Sequence, residues 1–475
     1  MDGAGHRGER ERTTLLAVVS LSAFLTPFMG SSLNLAIPSI GADLGASALE
    51  LNWIVTVYLV ASAALLLPFG RLADQVGRRR LFLLGSCLQA VFTFACGIAS
   101  GVPLLIAMRT LQGISAAMAF ATGMAILVEA FPPGQRGRVL GISTAAVYVG
   151  LSLGPPLGGA ITAGLGWRAV FFVNAALALL GAAAMAAGVG RDPAPGRERR
   201  FDHGAAGLYA ASLAALMTGL GTLSSSPAAR WVASGGLAGL VGFVALQARS
   251  AAPLLKLDLF RNPAFAFSNL AALANYSATF AVTFLLSLYL QVVRGLPPHS
   301  AGLVLLAQPV LMALLSPFAG RLSDRVAPRL VASSGMALIT AALAALALLG
   351  AATPLPAVIA ALAVLGTGFA LFSSPNSNAV MAAVERRDYG VASAILGTAR
   401  LVGQALSMAT VALLFGAVMG RAGLDASTAP ALLRALRLAF VVLAVVCLAG
   451  VAASLARGRG ADTGGEGSAS GSRGL

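Results

Sequence analysis

The sequence predicts an all-α polytopic membrane protein: fourteen transmembrane helices, arranged as two six-helix bundles with two further helices between them. Three observations carry this reading: an apolar excess, an alternation of charge between apolar runs, and a loop that recurs 250 residues later. Of 475 residues, 58% are apolar and only 10% charged, with a mean hydropathy of +0.86. A soluble domain carries about 25% charged residues. The apolar stock is about 276 residues, and a helix needs about 20 to cross a hydrocarbon core of about 30 Å. It therefore suffices for about fourteen crossings. A soluble enzyme is excluded, and so is a disordered chain.

Apolar runs bounded by charge, Pro or Gly fall at 14–38, 51–70, 81–100, 103–129, 139–162, 169–189, 205–223, 231–248, 265–290, 300–319, 330–350, 355–379, 391–418 and 436–456. The first follows an Arg-bearing segment but is long and lacks a small-residue cleavage site, so it reads as a retained helix. The second and third bracket a charged loop, and the fourth ends at Glu129 before Pro132 and Pro133. The seventh and eighth are Ala- and Gly-rich, joined by a short Ser-Pro connection at 224–227. The expected organisation is a cytoplasmic tail (1–13), a first bundle (14–190), linkers with two additional helices (191–262), a second bundle (263–456) and a disordered cytoplasmic tail (457–475).

The formal charge of +15 and a pI near 11.2 do not indicate nucleic acid. Basic residues sit in short clusters between apolar runs, without aromatic interleaving or a reader motif. With both termini cytoplasmic, 24 basic residues fall in cytoplasmic stretches and six outside. This satisfies the positive-inside rule, and a wrong helix count would scramble the alternation. Arg109 and Arg400 are left over, inside spans 4 and 13. Cys87, Cys96 and Cys447 all lie in apolar runs, so neither a disulfide framework nor a metal cluster is expected. His6, His203 and His299 lie in loops or the tail, which offers no catalytic constellation.

The loop Gly70-Arg-Leu-Ala-Asp74-Gln-Val-Gly77-Arg78-Arg79 after span 2 returns as Gly320-Arg-Leu-Ser-Asp324-Arg-Val-Ala-Pro-Arg329 after span 10. Both are cytoplasmic, so the halves are parallel repeats about an axis normal to the membrane. Eight spans separate them instead of six, which marks spans 7 and 8 as the inserted pair.

At these residues the chain resembles the fourteen-helix drug:proton antiporter branch of the major facilitator superfamily. Gly70–Arg80 is similar to the superfamily's signature loop, and Leu105–Gly113, with Arg109 and Gln112, to its fourth-helix motif. Gly150-Leu-Ser-Leu-Gly154-Pro155-Pro-Leu-Gly158-Gly159 is similar to the antiporter pattern GxxxGPxxGG, and Trp167-Arg168 with Phe172 and Asn174 to the start of this branch's sixth helix. The resemblance implies a multi-pass exporter of drugs or antibiotics in a bacterial cytoplasmic membrane, working by proton antiport and alternating access.

Each motif also has its own physics. A carboxylate at Asp74 can face the positive end of a neighbouring helix and pair with Arg; an interaction made in one conformation only biases a switch. The family places this loop between bundles, which implies a latch for Asp74 and Asp324; the plainer reading is a solvated loop. Gly150, Gly154 and Gly158 share one helix face, where two backbones can approach closely, and Pro155 removes a helix hydrogen bond and kinks the span. With Gly159 these form a candidate gate or pivot. Arg109 and Arg400 carry the cost of an intramembrane charge, about 2.5–3.5 kcal/mol on insertion scales. For Arg109 the resemblance implies proton coupling or substrate binding. Arg400 has two readings, substrate contact or a bond to helix carbonyls.

None of the seventeen acids falls mid-span. Many relatives carry Asp on the first helix, at the position of Met29 here. The nearest coupling candidates are Glu129 and Glu50, and Glu129 reads equally as a boundary charge. The space between bundles instead offers neutral polar groups at Thr26, Ser31, Asn34, Gln112, Asn275, Tyr276, Thr279, Asn376 and Asn378, which are either cavity lining or interhelical hydrogen bonds. They suit a neutral or anionic amphipathic molecule. No GxxxxGK[ST] motif occurs, so no cofactor is expected and an ion gradient supplies the energy. The expected partners are the bilayer, protons and an amphipathic small molecule, with no nucleic acid and no obligate protein partner. Met29→Asp restores the relatives' carboxylate; in a resistance profile of expressing cells it is expected to broaden the range towards cationic compounds.

Overall fold

A computed structural model describes residues 2–188, 190, 201–223, 226–250, 253–323, 325–385, 389–420 and 427–457. Among the described residues, fourteen helices are long and apolar enough to cross a membrane: Glu9–Leu44, Ala48–Val76, Arg78–Gly97, Val102–Ala130, Gly141–Leu165, Trp167–Gly188, His203–Thr222, Ala229–Gln247, Pro263–Val293, Pro298–Ser323, Pro328–Leu346, Leu355–Ala382, Val391–Val418 and Ala429–Leu455. They are spans 1 to 14. Because the count is even, the described chain begins and ends on the same side, the termini face; the opposite side is the far face.

Several spans run beyond their apolar runs. Span 1 starts inside the polar segment before Thr13 and continues past Pro38 to Leu44. Hydropathy reports only the apolar length, while a helix continues into water wherever its residues tolerate it. The starts follow from local chemistry. Span 2 opens with a capping box, in which Ser47 and Glu50 satisfy each other's backbone N–H groups. Proline stands in the first turn of spans 4, 10, 11, 12 and 14, where its missing N–H is no loss. Span 9 ends in a π turn, Tyr289–Val293, which its sequence does not announce.

Spans 1 to 6 pack together through pairs 1–5, 2–4, 3–4, 3–6 and 1–6, and spans 9 to 14 through 9–13, 9–14, 10–12, 11–12 and 11–14. The two sets are the repeats. Spans 7 and 8 form a hairpin, and span 7 lies against span 2 of the first bundle and span 13 of the second. The Tyr209 hydroxyl donates to the Ala63 carbonyl across that contact.

Span 5 sets the spacing. A Cβ on Gly150, Gly154 or Gly158 would collide with Phe24, Ser31 or Ser32 of span 1, so the motif's glycine face rests on the neighbouring backbone. Ser32 closes the contact by donating from Oγ to the Gly154 carbonyl at 3.0 Å. Gly141, on the same helix, has nothing within 4 Å of such a Cβ. Gly158→Ala is expected to destabilise the solubilised protein by about 1–3 kcal/mol through overpacking, whereas Gly141→Ala leaves it unchanged or raises it by up to about 1 kcal/mol. Paired thermal unfolding curves in one detergent check both.

Candidate functional site

At the termini face the signature loop is tied both to its own bundle and to the segment ahead of span 9. Gly77 has φ = 102°, a conformation that other residues enter only with strain; it lets span 3 start one residue after span 2 ends. That brings Arg78 between two carboxylates, Asp74 at 3.0 Å and Glu129 of span 4 at 3.3 Å. All three side chains are more than a third exposed, and such pairs are worth only about 0–1 kcal/mol each. Their contribution is orientation, not stability. Arg79 pairs with Glu11 of span 1 and donates to the Gly190 carbonyl, and Arg71 donates to the Pro253 carbonyl ahead of span 9. In this conformation, then, Asp74 pairs inside the first bundle; Asp324 lies outside the described residues. Gly70 has no neighbour that a Cβ would meet, so no contact explains glycine there.

In the far half, the bundles are joined through backbone atoms. A Cβ on Gly159 would lie 2.5 Å from the Pro298 carbonyl oxygen, and one on Gly302 would strike the Pro155 carbonyl. Span 5 thus presents one glycine face to span 1 and another to span 10. Asn52 donates to the Met408 carbonyl at 3.2 Å, Ser287 to the Asn34 carbonyl, and Gln291 to the Leu35 carbonyl at 3.2 Å. Glu50 stands at the far face inside its capping box, with Ser47 N–H donating to it at 2.8 Å.

The two intramembrane cations differ sharply. Arg109 is only 2% exposed. Its Nε donates to the Ile54 carbonyl at 3.0 Å, Nη1 donates to Gln112, and Gln112 donates on to Thr93 at 2.6 Å. The guanidinium also lies 4.5 Å from the Tyr58 ring centroid, a cation–π contact worth up to about 2 kcal/mol when desolvated. Arg109 therefore ties spans 2, 3 and 4 together without a carboxylate. Beside this network, spans 1, 3, 4 and 6 enclose a cavity of about 30 Å³ lined by Thr26, Gln89, Thr93 and Asn174. Thr26 itself donates to Ser22 at 3.4 Å.

Arg400 is half-buried and sits 5.0 Å from the Tyr276 ring centroid. Tyr276 meets Phe369 of span 12 edge-on at 5.5 Å, with Ser373 of span 12 and, from the other bundle, Tyr148 of span 5 in its neighbourhood. Gly403, one turn beyond Arg400, lets span 13 rest on span 9, as Gly154 does for spans 5 and 1.

The remaining polar candidates scatter. Ser31 is buried against Gly154. Asn34 leaves its Oδ1 without a partner, and neither amide atom of Asn275 has one. Thr279 bonds back to the Asn275 carbonyl at 2.9 Å. Asn378 is exposed, with a 3.4 Å contact to Ser323. Asn376 turns into the second bundle and accepts from Arg457. Arg457 reads in sequence as one more cytoplasmic charge, yet it is buried and its guanidinium is pushed down to about 10 by that burial, still charged at neutral pH. Tyr148 and Phe369 were likewise hidden within apolar runs, without a polar neighbour pattern to mark them.

Two parallel bundles, a span 5 stripped of side chains at both its seams, and an arginine buried within span 4 describe a transporter scaffold. Residues 19–408 and 268–471 match the model of the Major Facilitator Superfamily, and the chain belongs to that family. Within it the chain falls in the drug-efflux branch. It is 33% identical over 478 residues to the cephamycin export protein CmcT of Amycolatopsis lactamdurans, covering 96% of each chain. It is 31% identical over 409 residues to the multidrug efflux pump LfrA of Mycolicibacterium smegmatis, covering 85% of this chain and 80% of that one. To the riboflavin transporter RibZ of Clostridioides difficile it is 30% identical over 406 residues, covering 84% and 87%. Its fold is similar to that of a bacterial homologue of the human lysosomal transporter Spinster in an inward-facing, unoccupied conformation, with a TM-score of 0.69 at 16% identity over 94% of this chain and 97% of that one. The protein is a transporter and not an enzyme.

Arg109→Lys keeps the charge but loses the planar fork that reaches both the Ile54 carbonyl and Gln112. A loss of about 2 kcal/mol is expected, the scale of a hydrogen bond to a charged group. Thermal unfolding of the solubilised variant beside wild type measures it.

Proposed function

We propose that the protein exports lipophilic small molecules, drugs or antibiotics among them, from the bacterial cytoplasm in exchange for protons, with both termini cytoplasmic. The observation that carries this reading is the motif Gly150–Gly159. Its glycine and proline backbone forms the contact between span 5 and span 10, a smooth surface on which one bundle can turn against the other. Exporters among the relatives support the direction of transport. The signature-loop charges act as the switch: Arg78 holds Asp74 and Glu129 here, and a conformation that separates the three frees two carboxylates at the termini face.

Glu129 is the proposed proton carrier, because a carboxylate that exchanges Arg78 for a proton changes charge at the termini face while staying in place. Glu50, engaged in its cap, is the weaker candidate. Arg109 holds its site through geometry, since a guanidinium does not titrate in this range. The second reading is a facilitator or proton symporter of a small metabolite; Met29, an apolar residue buried where the family resemblance implies an Asp in many members, and the similarity to a riboflavin transporter favour it.

Everted vesicles separate the two. Antiport is expected to release protons from energised vesicles when substrate is added, and no release at saturating substrate excludes it. Glu129→Gln is expected to reduce proton-coupled efflux at least tenfold with normal protein abundance. Unchanged efflux removes Glu129 from the coupling path.

A further inference from the structure

We propose that Arg400 is the anchor for an anionic group on the transported molecule, so that the protein prefers amphipathic aromatic acids to their uncharged counterparts. The inference rests on the transport reading above and adds the charge class of the substrate.

The first support is what surrounds Arg400. Among the described residues it makes no hydrogen bond or ion pair, and its Nε is buried without an acceptor. The side chain as a whole is only half-buried, so Arg400 is not sealed inside the packed core. Arg109 provides the contrast, since a carbonyl, an amide and a ring already satisfy it. A membrane-embedded cation with unused donors in a half-open setting is poised for an oxygen acceptor that arrives from outside the protein.

The second support is the shape of the surroundings. The Tyr276 ring packs against the guanidinium, Phe369 stands edge-on to Tyr276, and Tyr148 approaches from the other bundle. Aromatic faces suit a planar ring system, and the arginine suits a carboxylate at its edge.

The third support is the absence of competition. Of the described carboxylates within the span limits, Glu9, Glu11, Asp74 and Glu129 lie towards the termini face, and Asp43 and Glu50 at the far face. None lies at the depth of Arg400 on span 13, so among the described residues no carboxylate neutralises the arginine or draws a cationic substrate there. The field at that depth favours anions.

The test uses 9-anthracenecarboxylate and 9-anthracenecarboxamide, two probes that share a ring system and differ in charge. Binding to the full chain in lipid nanodiscs is followed by probe fluorescence at pH 7. Wild type is expected to bind the acid at least tenfold more tightly than the amide. Arg400→Gln is expected to bring the acid to the amide's affinity while leaving the amide unchanged, and Arg400→Lys to retain part of the preference. The inference is overturned if wild type binds the two equally, if it binds neither above protein-free nanodiscs, or if Arg400→Gln weakens both alike. Should Arg400→Gln not be recovered folded, Arg400→Lys decides: a preference for the acid that is reduced but retained supports the anchor, and an unchanged preference or a uniform loss for both probes counts against it. Acid binding that depends on Arg400, without proton release from vesicles, would keep the anchor and remove antiport.

Discussion

Span 5 meets span 1 and span 10 through backbone, and that contact fixes how far apart everything else can stand. In hydrocarbon there is little hydrophobic drive between helices, so association depends on close packing and on hydrogen bonds that average only about 0.6 kcal/mol each. Dispersion is individually small and lost quickly across a gap, so removing side chains where helices cross is the effective way to gain it. Gly150, Gly154 and Gly158 do so within the first bundle, and Gly159 with Gly302 between the bundles. Gly403 repeats the device where span 13 crosses span 9. The polar ties from Ser32, Asn52, Ser287 and Gln291 then fix register on a contact that packing has already made.

Charge follows a complementary rule. At the termini face, where water screens, Arg78 is shared between two exposed carboxylates and the arrangement is exchangeable at little cost. Inside the membrane the same residue type is used in two opposite ways. Arg109 is fully engaged and acts as a rivet through spans 2, 3 and 4. Arg400 is left with an idle donor beside an aromatic cluster. Burial and partner count set the two arginines apart; residue identity does not.

Much of this was legible in the sequence. All fourteen spans are where the apolar runs lie, because the hydrocarbon core demands them, and the drug-efflux branch was readable from its motifs. Helix ends were not: span 1 reaches back to Glu9 and on to Leu44, since hydropathy senses membrane thickness while a helix ends where its backbone bonding ends. The sequence marks the signature loop but not its pairing: Gly77 brings Arg78 round to Asp74, while Arg71 reaches the Pro253 carbonyl ahead of span 9. The neutral polar residues were grouped by type alone. Their partners depend on which way each helix is rotated, so Gln112 joins the Arg109 relay and Asn376 meets Arg457, while Asn275 stays idle. Arg457 itself looked like any other charge beyond the last span, and only its three-dimensional burial sets it apart.

Spans 7 and 8 give the molecule something that two bundles alone would lack. Span 7 lies along the joint between span 2 and span 13, with Tyr209 bonded to the backbone of span 2. A joint of that kind is otherwise sealed by acyl chains, whose packing varies with lipid length and temperature. Here protein replaces lipid as the gasket on one flank. Any motion of one bundle against the other must slide along a helix of fixed shape, which makes that side of the transporter less sensitive to the bilayer in which it sits.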